Sequence, residues 1–108
     1  MGEFAIKFTG GTASNGGLLK FKCLVEYPTE LDTYLPADLK KQTDGKGTTI
    51  LPFSDGRGNF EADSLLQAEA VEAEIKGKLQ TAYHNLLEGR KRIQQWTGVR
   101  EFDLTTAD

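Results

Sequence analysis

The sequence predicts an α+β fold: a small antiparallel sheet of three to four strands with one long C-terminal helix packed across it. Three observations point there. Apolar and polar residues alternate at positions 4–8 and 18–27. Two glycine-rich stretches, GGTASNGG at 10–17 and SDGRGN at 54–59, punctuate the same half of the chain. From residue 64 to residue 96 the apolar period becomes that of a helix. With 108 residues the chain suits one domain and is short for two cores. Residues 1–60 read as sheet and loops, 61–98 as the long helix, and 99–108 as a short strand and tail.

Phe4, Ile6 and Phe8 alternate with Ala5, Lys7 and Thr9, which makes a half-buried strand. The 10–17 stretch reads as a hairpin loop, because Gly, Ser, Thr and Asn favour turns. The second strand, 18–27, places Leu19, Phe21, Cys23, Val25 and Tyr27 on one face. Pro28 ends it, having no N–H for a ladder. Leu31, Leu35 and Leu39 recur at helical spacing, and Pro36 suits the first turn of a short helix over 36–41. Residues 43–47 read as a turn and 48–53 as a third strand, with Pro52 placing its end on a sheet edge. The 54–59 stretch reads as a loop leading into the helix. Residues 99–104 read as a fourth short strand.

The helix carries start and stop signals. Ser64 followed by Gln67 fits a capping box. Glu69, Glu72 and Glu74 lie toward its start, and Arg90, Lys91 and Arg92 toward its end, which suits the macrodipole. Glu72–Lys76 and Glu74–Lys78 are i,i+4 pairs in the favourable order. Thr97-Gly98 stops it. Gly77 and Gly89 are its weak points, each costing about 1 kcal/mol against alanine. Either would mark a break into two helices or a close approach of a partner.

An unbroken helix of this length spans roughly 50 Å. A compact domain of about 100 residues has a radius of gyration near 13 Å. Part of the helix must overhang or bury against something else. Its heptad series runs Leu65, Ala68, Glu72, Ile75, Leu79, Ala82, Leu86, Gly89, Ile93, Trp96, flanked by Leu66, Val71, Tyr83 and Leu87. That face is wider than a two-stranded seam. One side is expected to cover the sheet and the other to meet a second copy. Ile75, Leu79, Leu86, Ile93 and Trp96 are the expected oligomer interface, against the plain alternative of a helix that covers only its own sheet.

Chemical signatures are sparse. A net charge of -3 argues weakly against bulk electrostatic binding of nucleic acid. One cysteine excludes an internal disulfide. The opening MGEFAIKF lacks a basic, apolar signal pattern, and no stretch approaches a membrane span, so a cytoplasmic protein without membrane contact is expected. Cys23 should point inward and His84 outward, which separates the two as a nucleophile pair. Arg57, in a loop before the helix start, offers an anion contact without a phosphate-loop motif. Asp55, Asn59, Glu61 and Asp63 alternate as calcium ligands would, but miss the EF-hand spacing. Arg90, Lys91, Arg92 and Arg100 surround Trp96. They either hold nucleic acid, extended by Lys7, Lys20 and Lys22, or compensate the dipole around a core tryptophan.

The expected function is a non-enzymatic, homo-oligomeric assembly or adaptor protein, an accessory protein that self-associates through its helix. Its glycine loops would contact another protein or a ligand. The alternative is a nucleic-acid-binding module using the sheet face and the basic helix end. An enzyme built on carboxylates and Tyr27, Tyr34 or Tyr83 has no motif to support it. No metal and no cofactor is expected.

Overall fold

A computed structural model describes residues 5–105 of the chain. Phe4 and the last three residues of the expected tail lie outside the described residues. Among the described residues the fold is α+β, with one long helix and five antiparallel strands rather than the expected three to four. The strands are β1 (Lys7–Asn15), β2 (Leu18–Glu26), β3 (Thr43–Gly45), β4 (Thr48–Ser54) and β5 (Arg57–Ala62). Helix α1 runs unbroken over Leu65–Trp96. The sheet order is β1-β2-β5-β4-β3.

The expected hairpin across the first glycine-rich stretch forms, but most of that stretch is strand; the second stretch is a hairpin turn and the start of a strand rather than a loop leading into the helix. β1 continues through the first, pairing with β2 from Lys7 opposite Glu26 to Asn15 opposite Leu18. Only Gly16 and Gly17 are left to turn the chain. Both have positive φ, 61° and 85°, as a tight two-residue hairpin turn requires. Asp55-Gly56 does the same between β4 and β5, with φ of 54° and 83°. The chain after this turn is therefore a strand, and β5 is the central one. Only Phe60 and Ala62 of β5 are clearly apolar, and Gly58 hides its role. A Cβ there would lie 2.1 Å from the Phe53 ring, so the glycine makes room for that ring.

Residues 43–45 pair with Thr48–Ile50 as a short edge strand, so only the start of β4 lies inside the sheet. Pro52 lies beyond that pairing, at the edge as expected, and in the break of register between Leu51 and Ser54, where no ladder bond is needed. The expected helix at 36–41 is a single 3-10 turn, Ala37–Leu39, and a second 3-10 segment, Thr29–Tyr34, precedes it. The expected strand at 99–104 does not form.

One face of the sheet, the 3-10 segment and α1 enclose a single core. Val25 and Phe60 from the sheet, Leu31 and Leu39 from the 3-10 turns, and Ile75 and Leu79 from the helix are fully buried. Side chains of this kind contribute about 1.5–3 kcal/mol each when removed from water. Tyr27 stacks on Phe53 at 5.9 Å, and its hydroxyl donates to Asp32 at 2.6 Å. Burial, then that hydrogen bond, pushes the Tyr27 phenol well above its ordinary range. Lys78 ties the helix to the Ala37–Leu39 turn by pairing with Asp38, and also pairs with Glu74 at 2.9 Å.

The helix start is half a capping box. Ser64 Oγ accepts from the Gln67 N–H at 3.2 Å. The Gln67 amide does not reach back; it donates to the Lys46 carbonyl at 3.3 Å. None of the acidic or basic residues credited with dipole compensation lies in the first or last turn. Their effect on the macrodipole is correspondingly small, since it falls off within one turn.

The molecule is elongated, 75 × 32 × 20 Å, with a radius of gyration of 19.5 Å. That exceeds the roughly 13 Å of a compact chain of this length. Two projections cause it. β2 pairs with β5 only from Phe21 onward, so the hairpin beyond it is a two-stranded arm. The last turns of α1 form the other projection. Ile6 lies beside Leu79 and Tyr83, whereas Gly10 and Thr12 lie beside Leu65 and Ala68. β1 thus runs against the helix direction, and the arm and the helix end project at opposite ends.

Candidate functional site

The apolar stripe of α1 splits in two. Val71, Ile75, Leu79, Ala82 and Leu86 are buried in this chain's own core, Ile75 at 0% exposure. The expected interface therefore narrows. Ile75, Leu79 and Leu86 cover the sheet and offer no surface, while Ile93 and Trp96 are 64% and 66% exposed. Every residue from 90 to 105 is exposed. Val99, Phe102 and Leu104 extend the bare apolar run beyond the helix.

The two helix glycines differ in the same way. A Cβ at Gly89 would sit 2.5 Å from the Tyr34 hydroxyl, so this glycine lets the 3-10 segment close on the helix. A Cβ at Gly77 would meet nothing within 4 Å. Gly89 also lies just past Leu86, the last buried residue of the helix.

Trp96 is not a core residue. The Arg100 guanidinium lies over its ring at 4.9 Å, and 5.8 Å from the Phe102 ring. Cation–π contacts at exposed sites contribute about 0.5–1 kcal/mol. They fold the chain after Gly98 back on the helix end. Arg90, Lys91 and Arg92 are exposed on the last turns beside this cluster.

At the opposite end, a cleft of about 350 Å³ opens between the β1–β2 hairpin and the start of α1. Phe8 and Phe21 line one side, and Leu65 and Ala68 the other. Gly10 pairs with the buried Cys23 and so faces the cleft, since directly opposed residues share a sheet face. Its missing side chain keeps the space open: a Cβ there would meet nothing within 4 Å. Glu69 and Glu72 stand at the helix rim. This feature was not expected from the sequence. Gly10 at an inward strand position was its signal, obscured while 10–17 read as a loop.

The remaining candidates separate. His84 is exposed, its ring tilted against Tyr83 at 6.3 Å, and Cys23 is buried beneath the cleft. Burial is the main cause that pushes the Cys23 thiol up, which disfavours a thiolate. Arg57 begins β5 and the helix comes after the strand's end, so about 17 Å of strand separates Arg57 from the helix N-terminus. Asp55 lies in a turn, and Asn59, Glu61 and Asp63 are strung along and beyond β5. Glu61 pairs with Lys22 at 3.8 Å and Asp63 with Lys20. These pairs engage both lysines at the end of the molecule remote from Arg90, Lys91 and Arg92. Among the described residues no helix is long and apolar enough to cross a membrane.

No protein-family model, no curated protein and no solved structure matches this chain.

Proposed function

We propose that this chain is a non-enzymatic assembly protein that self-associates through the bare end of its long helix. The observation that carries this reading is the exposed run of Ile93, Trp96, Val99, Phe102 and Leu104 beyond the last core residue, Leu86. Single apolar residues on a surface need no explanation, but five exposed ones concentrated in the last stretch of a projecting element favour an interaction surface. Trp and Arg, paired here as Trp96 and Arg100, are the residue types that anchor interfaces. The hairpin arm, with Leu18 and Leu19 exposed, offers a further contact for another protein. The arm is a two-stranded hairpin whose strands run through most of the GGTASNGG stretch.

Trp96 is the only tryptophan, so it reports on its own burial. Sedimentation should give a mass above that of the monomer, rising with concentration. Trp96 emission should shift to the blue over the same range. A constant monomer mass with unshifted emission would sink the reading.

The Trp96–Arg100 pair beside Arg90, Lys91 and Arg92 also favours a second reading, stacking on single-stranded nucleic acid. Quenching of Trp96 by an oligonucleotide, lost as salt rises, would support it.

A further inference from the structure

We propose that the assembly is head to tail: the helix end of one copy, anchored by Trp96, seats in the cleft between the β1–β2 hairpin and the start of α1 of a second copy. This rests on the self-association reading and specifies its geometry. The cleft's volume, about 350 Å³, lies near the lower end of the roughly 300–1,000 Å³ range of ligand sites. It suits one aromatic anchor held among Phe8, Phe21, Leu65 and Ala68. Leu19 lies two residues beyond Phe21 on the same strand face and lengthens the apolar floor toward the arm.

Charge selects the occupant. From Leu65 to Ile75 the helix carries Glu69, Glu72 and Glu74 and no basic residue. Glu74 is paired with Lys78, but Glu69 and Glu72 have no ion-pair partner among the described residues. The segment 90–96 carries Arg90, Lys91 and Arg92 and no acid. Lys22, the one basic residue of the cleft lining, pairs with Glu61 at 3.8 Å, so an apolar cleft with an acidic helix rim faces an apolar anchor with a basic flank. Complementarity of this kind sets partner and register.

The chain cannot satisfy itself. Ala68 and Trp96 are about 42 Å apart along one unbroken helix. The two surfaces differ and lie at opposite ends, so the contact is heterologous. Repeating it closes a ring or propagates a filament.

Two full-length variants test the proposal by sedimentation. Gly10→Phe fills the cleft, and Trp96→Ala removes the anchor. Each should weaken self-association about thirtyfold or more with an unchanged circular dichroism spectrum. Mixed in equal amounts, they should form a dimer that grows no further, because one intact cleft meets one intact tail. Symmetric helix pairing predicts instead that Gly10→Phe assembles like the wild type and that the mixture gains nothing. That result overturns the head-to-tail geometry and leaves the self-association reading standing. A wild type that stays monomeric overturns both. Should Gly10→Phe not fold, charge reversal carries the test. Glu69→Lys with Glu72→Lys should weaken assembly about tenfold or more. Adding a copy with Lys91→Glu and Arg92→Glu should restore it, and failure to restore overturns the proposal.

Discussion

Residues 71–86 and residues 90–96 belong to one helix and continue one apolar pattern, yet the first set is buried and the second is bare. Propensity does not separate them: both carry apolar residues at heptad spacing between charged ones. The difference is what stands opposite. Against the first set lie the sheet and the Thr29–Tyr34 turn; the second set lies beyond the buried core, and Trp96 meets only the side chain of Arg100 among the described aromatic contacts. A stripe on a helix specifies that a face will be covered, not by what. Burial in the monomer and burial in an assembly write the same pattern.

That contrast can be broken most directly at its packed side. Leu79→Ala leaves a cavity in a site that is 1% exposed and should cost about 2–5 kcal/mol in urea unfolding. Ile93→Ala should change monomer stability by no more than about 0.5 kcal/mol in the same assay. Equal losses at the two positions would erase the distinction. Hydrogen exchange in dilute protein should give the same division, with protected amides up to Leu86 and fast exchange beyond Gly89. Protection that appears beyond Gly89 only at high concentration would tie the bare end to assembly.

The glycines sharpen the comparison at smaller cost. Gly77→Ala meets open space and should stabilise the fold by about 0.5–1 kcal/mol. Gly89→Ala brings a methyl group against the Tyr34 hydroxyl and should gain less or lose. Adding Tyr34→Phe should recover the difference, measured as a double-mutant cycle.

The smallest effect concerns the tether beside the packed half. The hydrogen bond from Lys78 holds the Asp38 carboxyl below its usual value of 3.8. The native state therefore favours the ionised form. Its stabilisation is present above that usual value and fades as pH falls through the lowered one. Lys78→Met should flatten the fall of melting temperature below about pH 4. The change should be slight, since Asp38 is half exposed and solvent screens the pair.

Local signals were legible wherever one segment carried its own information. The Ser64 cap, the Gly98 stop and the alternation of β2 come from residues next to one another in sequence. β5 was not legible, because its glycine answers to Phe53 and its central place depends on two partners. The strand character of residues 10–15 was hidden for a related reason: an edge of Gly, Thr and Ser becomes a strand only when β2 supplies the ladder. The reverse error at 99–104 has the same origin. Val99 and Phe102 are apolar enough for a strand, but among the described residues they pair with no strand.

The candidate surface was half legible. Ile93 and Trp96 stood out by spacing, and the overhang came from helix length against domain size. The cleft did not, because it is made by what Gly10 lacks, seen only once its opposite residue is known.

Sequence by itself determined the long helix, its ends, the hairpin character of the first half and an apolar stripe too long for one small sheet. These rest on periodicity and capping, which act over a few residues. Tertiary structure alone decided which part of the stripe is core, which strand is central and where the cleft opens. Those depend on contacts between residues tens of positions apart, and the energy of burial belongs to the pair of surfaces rather than to either segment.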